Sequence, residues 1–415
     1  MDRVVCRGRV SGCVTPPSSK SYAQRALAAA LLAEGRSVLR NIDFCDDTLS
    51  AITCIEALGA KVERTAADVV TIDGGLKPAS EVLHVGESGL ATRLFTPIAA
   101  LCSHPITIEG RGTLLHRPMT MMIEPLRALG VDVRDGGGYL PIEVCGPMCR
   151  DYVEVDGSVS SQFITGLLMA LPCKESDTVI RVSGATSRPY LDMTISTAEQ
   201  FGVEIEHNNY EEFFVRGSQR YRAVDIAIEG DWSGAASLMV AGAIAGEVTV
   251  KNISMLSRQA DVAITTALVR AGAEVISDDV GVTVRQRPLR AFEFDATDSP
   301  DLFPVLAALA AACEGESIIY GTHRLEHKES NRAEAIRAEY AKLGVEVELD
   351  GDMMRIRGGR VRGGREVETY GDHRMAMSLA LTALRADEPI TVCGAECVAK
   401  SYPDFFEMLN KIRVE

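Results

Sequence analysis

One pattern of apolar and polar positions recurs along the chain: an apolar helical segment, a glycine, and then a segment in which apolar and polar residues alternate. The glycines of five copies are Gly59, Gly130, Gly202, Gly272 and Gly344, which are 71, 72, 70 and 72 residues apart. A glycine just after a helix suits the left-handed turn that ends it. The period predicts a repeated structural unit, with a degraded sixth copy in which Asn410 replaces the glycine.

A second element follows the same period. Alanine-rich, almost wholly apolar segments begin near residues that can cap a helix: Ser19, Ser88, Ser160, Ser233, Ser299 and Asp372. Ser and Asp are preferred at helix N-termini, and a helix that is apolar on every side is a buried helix. Each repeat is therefore expected to hold one buried helix, one amphipathic helix and several strands. Six repeats predict an α/β fold, with three units in each of two pseudo-symmetric domains.

Composition narrows the class of protein. A chain of 415 residues exceeds the size of one hydrophobic core, and 46% apolar with 24% charged residues is typical of a globular protein. A net charge of -15 with 5% aromatic residues disfavours a nucleic-acid partner. The apolar runs 235–245 and 305–313 are too short to cross a bilayer. Charges at Asp2 and Arg3 interrupt any secretory signal, so we expect a cytoplasmic protein without a membrane partner.

The number and spread of the cysteines also favour a cytoplasmic protein. Eleven cysteines, an odd number spread along a long chain, indicate reduced thiols rather than a disulfide framework. Two Cys-x3-Cys pairs, Cys145 with Cys149 and Cys393 with Cys397, leave a zinc site open as an alternative. Their spacing differs from the usual zinc pattern and no histidine stands beside them, so we expect packing residues and no metal.

Basic residues stand before the amphipathic helices of five repeats: Arg117, Arg188, Arg258, Arg332 and Lys400. The N-terminus of a helix offers free N–H groups and a partial positive charge, which favour an anion. At an exposed end this effect contributes only about 0.3–1 kcal/mol, so several ends and several cations must act together to hold a multiply charged ligand. If the helix starts face one cleft, an acidic chain can still bind such an anion there.

Several helix starts have side chains suited to phosphate or hydroxyl groups. The stretch 16–25 contains Lys20, Ser21 and Arg25, and the stretch 86–93 contains Gly89 and Arg93. Arg117 precedes Pro118; Ser160, Ser161 and Gln162 stand together; and Ser187 is followed by Arg188, Pro189 and Tyr190. No Walker A loop is present. Each stretch alone is also explained as a solvated helix cap without a ligand.

Three later stretches carry groups for acid–base chemistry. Asp301 stands at a helix start, where the helix dipole favours its ionised form. Lys328-Glu329-Ser330-Asn331-Arg332 places two cations around one carboxylate, and the stretches 370–377 and 399–406 contain Arg374 and Lys400. A salt-bridged surface would explain any one of these stretches by itself.

Taken together and in this order, the stretches resemble the EPSP synthase family from residue 16 to residue 406. The most specific pieces are Ser19-Lys20-Ser21 with Arg25, and the stretches 328–332, 372–377 and 400–404. The resemblance implies two domains that close on the substrates, each of three βαβαββ units in an inside-out α/β barrel. It places residues 15–229 in one domain and residues 1–14 with 230–415 in the other, with the active site in the cleft between them.

The resemblance also implies an activity, that of a 3-phosphoshikimate 1-carboxyvinyltransferase. This transferase moves the enolpyruvyl group of phosphoenolpyruvate to the 5-hydroxyl of shikimate 3-phosphate, giving 5-enolpyruvylshikimate 3-phosphate and phosphate. The reaction belongs to the shikimate pathway, which leads to chorismate and the aromatic amino acids. The family needs no cofactor, acts on small-molecule substrates as a monomer, and is the glyphosate target.

Site residues follow from the resemblance, residue by residue. For shikimate 3-phosphate they are Lys20, Ser21, Arg25, Ser160, Ser161, Gln162, Ser187, Asp301 and Lys328, with Tyr190 packed nearby. For phosphoenolpyruvate they are Lys20, Gly89, Arg93, Arg117, Gln162, Arg332, Arg374 and Lys400. In catalysis Asp301 would accept the hydroxyl proton and Glu329 or Lys400 would handle the proton at C3. Lys20 and the arginines would stabilise the charge on the leaving phosphate.

The chain departs from the commonest family pattern in two places. Glu87-Ser88-Gly89-Leu90-Ala91-Thr92-Arg93 replaces the frequent Asn-Ala-Gly-Thr-Ala-Met-Arg, and Leu94 stands where proline is common. Gly89 and Arg93 are retained, so we expect catalysis to be retained, whereas glyphosate sensitivity stays open. The stretch 323–327 also differs, so no ligand contact is assigned to Arg324.

Two alternative functions were weighed. UDP-N-acetylglucosamine 1-carboxyvinyltransferase has the same fold and uses phosphoenolpyruvate, but that family has an asparagine in its lysine motif and a loop cysteine. Here Ser21 follows Lys20, and no cysteine lies between Gly110 and Leu140. The second alternative is a non-catalytic anion-binding repeat protein, and the presence of both Asp301 and Glu329 argues against it.

Overall fold

A computed structural model describes residues 1–158, 160–326 and 328–414. Val159 and His327, which lie within stretches singled out above, and Glu415, the end of the predicted second domain, are outside the described residues. The chain divides into two compact units. The central unit is Ser18–Ile228, and the split unit is Met1–Pro17 together with Glu229–Glu415.

The helices of the described residues number twelve, two for each predicted repeat. They are α1 Lys20–Leu32, α2 Asp46–Ala57, α3 Gly89–Ala99, α4 Thr120–Ala128, α5 Gln162–Ala170, α6 Arg188–Gln200, α7 Trp232–Ala245, α8 Ile264–Arg270, α9 Phe303–Ala311, α10 Arg332–Lys342, α11 His373–Ala383 and α12 Phe405–Ile412. Among the residues that the structure describes, none of these helices is both long and apolar enough to span a membrane.

Short strands separate the helices. They are β1 Arg3–Val5, β2 Arg9–Val14, β3 Arg36–Arg40, β4 Lys61–Ala66, β5 Val69–Asp73, β6 Val82–His84, β7 Ile106–Glu109, β8 Asp132–Asp135, β9 Ile142–Cys145, β10 Tyr152–Asp156, β11 Thr178–Ser183, β12 Ile205–Asn208, β13 Glu212–Val215, β14 Asp225–Ala227, β15 Gly246–Val250, β16 Glu274–Ser277, β17 Val282–Arg285, β18 Glu293–Asp295, β19 Gly315–Tyr320, β20 Glu346–Asp350, β21 Met353–Gly358, β22 Arg365–Glu368, β23 Ile390–Cys393 and β24 Arg413–Val414.

Each repeat of the central unit forms one four-stranded sheet. In the second and third repeats the orders are β6-β7-β9-β8 and β10-β11-β13-β12, with the first two strands parallel and the last two antiparallel to their neighbours. The first repeat has the order β14-β3-β5-β4, so a strand from the end of the unit takes the first position. There Asp225 lies opposite Val38 in the parallel pair.

The split unit repeats this arrangement with strands from distant parts of the chain. The fifth repeat is complete, with the order β18-β19-β21-β20. In the fourth, β2 pairs in parallel with β15, so that Val10 lies opposite Gly246. In the sixth, β1 pairs antiparallel with β23, and β24 adds to β2 in the fourth sheet. The predicted α/β fold of βαβαββ repeats is confirmed.

The buried helices lie inside the units and the sheets outside. In α7 every residue from Trp232 to Ala245 is buried, and α7, α9 and α11 contact one another. The strands expose one face; β10, for example, alternates exposed and buried residues along its length. Small side chains in the helices allow their backbones to approach closely, which is how these units build a core with few aromatic residues.

The glycine period marks helix ends as expected. Gly59, Gly130, Gly202, Gly272 and Gly344 have φ values of 109°, 92°, 83°, 94° and 74°, in the left-handed region that favours glycine. The sixth copy is wrong: Asn410 lies inside α12, which continues to Ile412 before Arg413 turns to an extended conformation. No left-handed turn forms there, because the helix leads directly into β24.

The helix caps follow the expected residues with local differences. Ser19, Ser88 and Asp372 cap α1, α3 and α11, each accepting a backbone N–H bond. For α7 the cap is Asp231 rather than Ser233, and it accepts a bond of 2.7 Å from the Gly234 N–H group. Because Asp231 lies two residues before Ser233, α7 begins earlier than a Ser233 cap would allow.

Gly166 in α5 allows a close approach to α3. A Cβ atom at this position would lie 2.2 Å from the carbonyl oxygen of Arg93. Gly166 is one helical turn after Gln162, so the close contact also fixes the start of α5 relative to α3.

We predict that Gly166→Ala lowers the free energy of unfolding by about 1–3 kcal/mol, the usual cost of overpacking. Helix propensity alone predicts a gain of about 1 kcal/mol for alanine over glycine, so the sign of the change is informative. Urea denaturation measures it. The control is Gly136→Ala, where the nearest atom to the added Cβ would be the Tyr139 carbonyl oxygen at 3.8 Å; a stabilised Gly166→Ala variant would show that α5 can move away from α3.

Candidate active site

Arg25 is a buried cation in the central unit. Its side chain projects from the second turn of α1, and the residue is 1% exposed. The guanidinium donates bonds of 2.9 Å to Thr194 Oγ1, 2.8 Å to the Ser21 carbonyl, 3.2 Å to Thr165 Oγ1 and 3.2 Å to the Tyr190 carbonyl. Burial lowers the pKa of Arg25 to about 10, so the group stays charged near neutral pH. All four acceptors are neutral, and none of them compensates the buried charge.

Two further guanidinium groups meet at the start of α3. Arg93 Nη1 donates bonds of 3.2 Å to the Gly89 carbonyl and 2.9 Å to Gln162 Oε1. A Cβ atom on Gly89 would lie 2.8 Å from Arg117 Nη1 and 2.9 Å from Arg93 Nη1. A side chain at residue 89 would therefore displace these guanidinium groups from their present positions at the helix N-terminus.

The remaining predicted residues of the central unit lie at the starts of α1, α5 and α6. Lys20 Nζ is 2.7 Å from Asp47 Oδ2, and both side chains are 14% exposed. Ser160 Oγ accepts a bond of 3.2 Å from the Gln162 N–H group, and Ser161 precedes α5 as a buried residue. Ser187 precedes α6 with φ 52° and ψ 43°. That left-handed conformation is strained for a serine, and such strain is concentrated at functional sites.

Four of the predicted cations of the central unit lie at or near its helix starts. Lys20, Arg25, Arg93 and Arg117 supply these positive charges, and Lys20 pairs with Asp47. Arg117 Nε is also buried without a protein acceptor among the described residues. An anionic ligand would supply the missing acceptor.

Arg332 organises the predicted residues of the split unit. Its guanidinium is 1% exposed and donates bonds of 2.6 Å to Asp301 Oδ1 and 2.7 Å to Glu329 Oε2. It also contacts both carboxylate oxygens of Asp372, at 2.8 Å to Oδ2 and 3.4 Å to Oδ1. Asp372 in turn caps α11 by accepting a bond of 2.9 Å from the Arg374 N–H group. One cation thus fixes three carboxylates.

Asp301 is held in its ionised form. Burial would raise its pKa, but the charges of Lys328, Arg332 and Arg374 outweigh burial and hold the pKa well below its usual range. Lys328 Nζ is 3.3 Å from Asp301 Oδ1, and Arg374 Nη2 is 3.8 Å from Oδ2. For Lys328 itself burial is the larger effect and lowers the pKa, although Asp301 opposes it.

The guanidinium of Arg374 has N–H donors that no described protein atom accepts. It is 4% exposed, and its Nε and Nη1 atoms have no protein acceptor among the described residues. Burial would lower its pKa, but Asp301, Asp231 and Asp261 outweigh burial and raise it. Lys400, on the loop before α12, donates a bond of 2.9 Å to the Gly371 carbonyl, two residues before α11.

The pKa of Asp261 shifts in the opposite direction to that of Asp301. Asp261 is buried, Ser233 donates a bond to its Oδ2 atom, and its Oδ1 atom has no partner among the described residues. Burial and then repulsion by Asp301 raise its pKa to about 7, because Arg374 offsets them only in part.

Several residues of this site were missed by sequence reasoning. Asp47, Asp261 and Asp372 are the carboxylates beside the predicted cations, and Thr165 with Thr194 supplies the acceptors of Arg25. For Asp47 a signal existed: it stands at the start of α2, where the equivalent helices of five other repeats have a basic residue. The two threonines gave no local signal, because they lie inside α5 and α6.

Cysteines and carboxylates do not combine into a metal site in the described part of the chain. No group of three or more His, Cys, Asp or Glu side chains is placed to hold a metal ion among those residues. All eleven cysteines, including the two Cys-x3-Cys pairs, are free thiols.

Sequence comparisons identify relatives over the whole chain. The profile of the family described as EPSP synthase (3-phosphoshikimate 1-carboxyvinyltransferase) matches residues 5–409. A protein of that enzyme name from Aeropyrum pernix is 39% identical over 418 residues, which cover 100% of this chain and 97% of the relative. Another from Methanocorpusculum labreanum is 36% identical over 417 residues, covering 99% and 98%.

Structural comparisons agree. The enolpyruvyl transferase NikO from Streptomyces tendae superposes with a TM-score of 0.79 at 19% identity, covering 99% of this chain and 97% of NikO, which shows the fold alone. EPSP synthase from Acinetobacter baumannii superposes with a TM-score of 0.84 at 26% identity, covering 99% and 98%. The fold is that of the enolpyruvyl transferases. Within that class, the chain belongs to the EPSP synthase family.

We predict that Asp261 makes the protein less stable as the pH rises from about 4 to about 7. The unfolded carboxyl has a pKa of 3.8 and the folded one about 7, so in this window the unfolded state releases a proton that the folded state retains. Stability therefore falls by up to about 1.4 kcal/mol per pH unit. The measurement is the unfolding free energy of wild type minus that of Asp261→Asn, by urea denaturation at several pH values.

The control for this comparison is Asp279→Asn, which changes an exposed carboxyl of the same unit. The pH slope of the Asp261→Asn difference is compared with that of this control. A flat difference for Asp261→Asn would mean that the buried carboxyl is already ionised at low pH.

Proposed function

We propose that the protein transfers the enolpyruvyl group of phosphoenolpyruvate to the 5-hydroxyl of shikimate 3-phosphate, with release of phosphate. The observation that carries the proposal is that the chain has two clusters of different character. The central unit has the cations Lys20, Arg25, Arg93 and Arg117, as binding of two phosphorylated acids requires. The split unit has an ionised Asp301, with Glu329 held by the same Arg332, as proton transfer requires.

Shikimate 3-phosphate is proposed to bind at the starts of α1, α5 and α6. Its ligands would be Lys20, Ser21, Arg25, Ser160, Ser161, Gln162 and Ser187, with Asp301 and Lys328 on the ring hydroxyls. The buried charge of Arg25, whose acceptors are all neutral, supports a phosphate in this place. Hydroxyl groups and helix N-termini would supply the other donors.

Phosphoenolpyruvate is proposed to bind beside Gly89. Its ligands would be Lys20, Gly89, Arg93, Arg117, Gln162, Arg332, Arg374 and Lys400. The unused donors of Arg117 and Arg374 support this set, because a carboxylate or phosphate can accept two N–H bonds from one guanidinium.

The proposed reaction is addition followed by elimination. The shikimate 5-oxygen bonds to C2 of phosphoenolpyruvate while Asp301 takes the hydroxyl proton and Glu329 or Lys400 delivers a proton to C3. The C2–O bond to phosphate then breaks, and C3 returns a proton to restore the double bond. The low pKa of Asp301 keeps it ionised and so able to accept a hydrogen bond from the attacking hydroxyl, and Lys20 with the arginines would stabilise the charge on the leaving phosphate.

The full site is proposed to form when the two domains, residues 15–229 and residues 1–14 with 230–415, close over both substrates. Closure would expel water and strengthen each charge interaction. No oxidation or group carrier is involved, so the reaction calls for no organic cofactor or metal. We further propose a cytoplasmic monomer without nucleic-acid or membrane partners, consistent with the net charge of -15 and eleven free thiols.

We predict that the purified protein releases inorganic phosphate when phosphoenolpyruvate and shikimate 3-phosphate are both present, and not with either alone. A coupled phosphate assay measures the rate. Replacing shikimate 3-phosphate by UDP-N-acetylglucosamine should stop the release. Turnover with the nucleotide sugar instead would move the chain to the alternative enolpyruvyl transferase, and no turnover with either acceptor would favour a non-catalytic role.

We predict that Lys20→Met lowers kcat/KM by about 10²–10³-fold, the usual effect of losing one preorganised charge in a reacting site. The thermal unfolding midpoint should change little, because Lys20 and its partner Asp47 both keep some contact with water. The matched control is Lys77→Met, which removes an exposed lysine of the same unit. Near-normal turnover in Lys20→Met would remove this lysine from the proposed site.

A further inference from the structure

The split unit contains a cavity of about 450 Å³ whose lining includes four arginines: Arg7, Arg9, Arg385 and Arg413. We call it the basal cavity. Its other lining residues are apolar or uncharged. Such a concentration of one charge is unusual in a chain with a net charge of -15.

The basal cavity is at the opposite end of the buried helices from the candidate active site. Its lining includes Ala245, the last residue of α7, and Leu384 with Arg385, which follow α11. Arg374 and the Asp231 cap stand at the beginnings of the same two helices. The 14 residues of α7 span about 21 Å at 1.5 Å per residue, so the cavity is a separate location within this unit.

Within residues 1–158, 160–326 and 328–414, no carboxylate pairs with any of the four arginines. None of them has a carboxylate oxygen within 4.0 Å in the described part of the chain. Other arginines of the unit do: Arg285 pairs with Glu247 at 2.8 Å, and Arg360 pairs with Asp387 at 2.7 Å. Arg413 Nη2 donates a bond of 3.2 Å to the Arg7 carbonyl, which keeps its guanidinium at the cavity without compensating its charge.

The negative ends of two helices are the competing explanation for these cations. Their combined partial charge is too small to offset four arginines. A helix C-terminus carries about half a negative charge, so α7 and α11 together offset about one of four positive charges. A surplus of about three positive charges is left around one cavity. That surplus is enough for a small multiply charged anion.

We propose that the basal cavity is a second anion site, which binds a small polyanion of phosphate or polycarboxylate chemistry. An adjoining cavity of about 560 Å³ shares Gln286 and Arg385 with it. That neighbour is also lined by Arg287 and Glu314, whose opposite charges offset each other. The basal cavity, with four arginines and no acidic lining residue, is therefore the more favourable of the two for a small anion. This site does not depend on the activity proposed above.

Isothermal titration calorimetry at low salt tests the proposal, with inorganic pyrophosphate and citrate as separate probes. We expect one of them to bind wild type, and Arg385→Glu to weaken that binding by at least about tenfold. The matched control is Arg150→Glu, which makes the same charge change at an exposed residue of the central unit. Arg385→Gln is the milder variant if charge reversal impairs folding, and enzyme turnover reports that both variants are folded.

Arg117→Ala separates the two anion sites, because it changes the proposed phosphoenolpyruvate site alone. Binding that survives in Arg117→Ala and Arg150→Glu but is weakened in both Arg385 variants supports the basal cavity. Pyrophosphate as the bound probe assigns phosphate chemistry, and citrate assigns polycarboxylate chemistry. Equal affinity in wild type and the Arg385 variants, loss in Arg117→Ala alone, or no binding of either probe overturns the proposal.

Discussion

Compensation of buried positive charge is the constraint on which the rest of the structure depends. A guanidinium that loses its water must find negative charge or acceptors in the protein. Arg332 finds three carboxylates and is fully compensated within the split unit. Arg25 finds only two hydroxyls and two carbonyls. The two units thus solve the same problem differently: the split unit surrounds Arg332 with carboxylates, and the central unit surrounds Arg25 with neutral acceptors.

The same charges shift the pKa values of two neighbouring carboxyls in opposite directions. Asp301 and Asp261 both lie near Arg374, yet the pKa of Asp301 is lowered and that of Asp261 is raised to about 7. The difference arises because Asp301 also faces Lys328 and Arg332, whereas Asp261 accepts a bond from Ser233 and its other oxygen has no partner in the part of the chain that the structure describes. When the pKa values of two carboxyls differ in this way, one can serve as a base and the other as a neutral hydrogen-bonding group in one site.

The sequence was sufficient for features that depend on local backbone conformation. The helix-ending glycines and the buried alanine-rich helices followed from spacing and composition. Features that depend on contacts between distant residues were not accessible. Nothing near Asp225 indicates that β14 completes the first sheet, and nothing near Thr165 or Thr194 indicates Arg25 as a partner. Asn410 was misread for the opposite reason: a local rule was applied where α12 leads directly into β24.

The pairing of β2 with β15 has a consequence for folding during synthesis on the ribosome. At 5–20 residues per second, the residues between these strands take roughly ten to fifty seconds to synthesise. During that time the central unit, Ser18–Ile228, is synthesised, and the backbone groups of β2 stay without their β15 partners. An unpaired strand is a template for association with other chains. The exposed Arg9 at the beginning of β2 gives this waiting segment a charge that discourages such contacts.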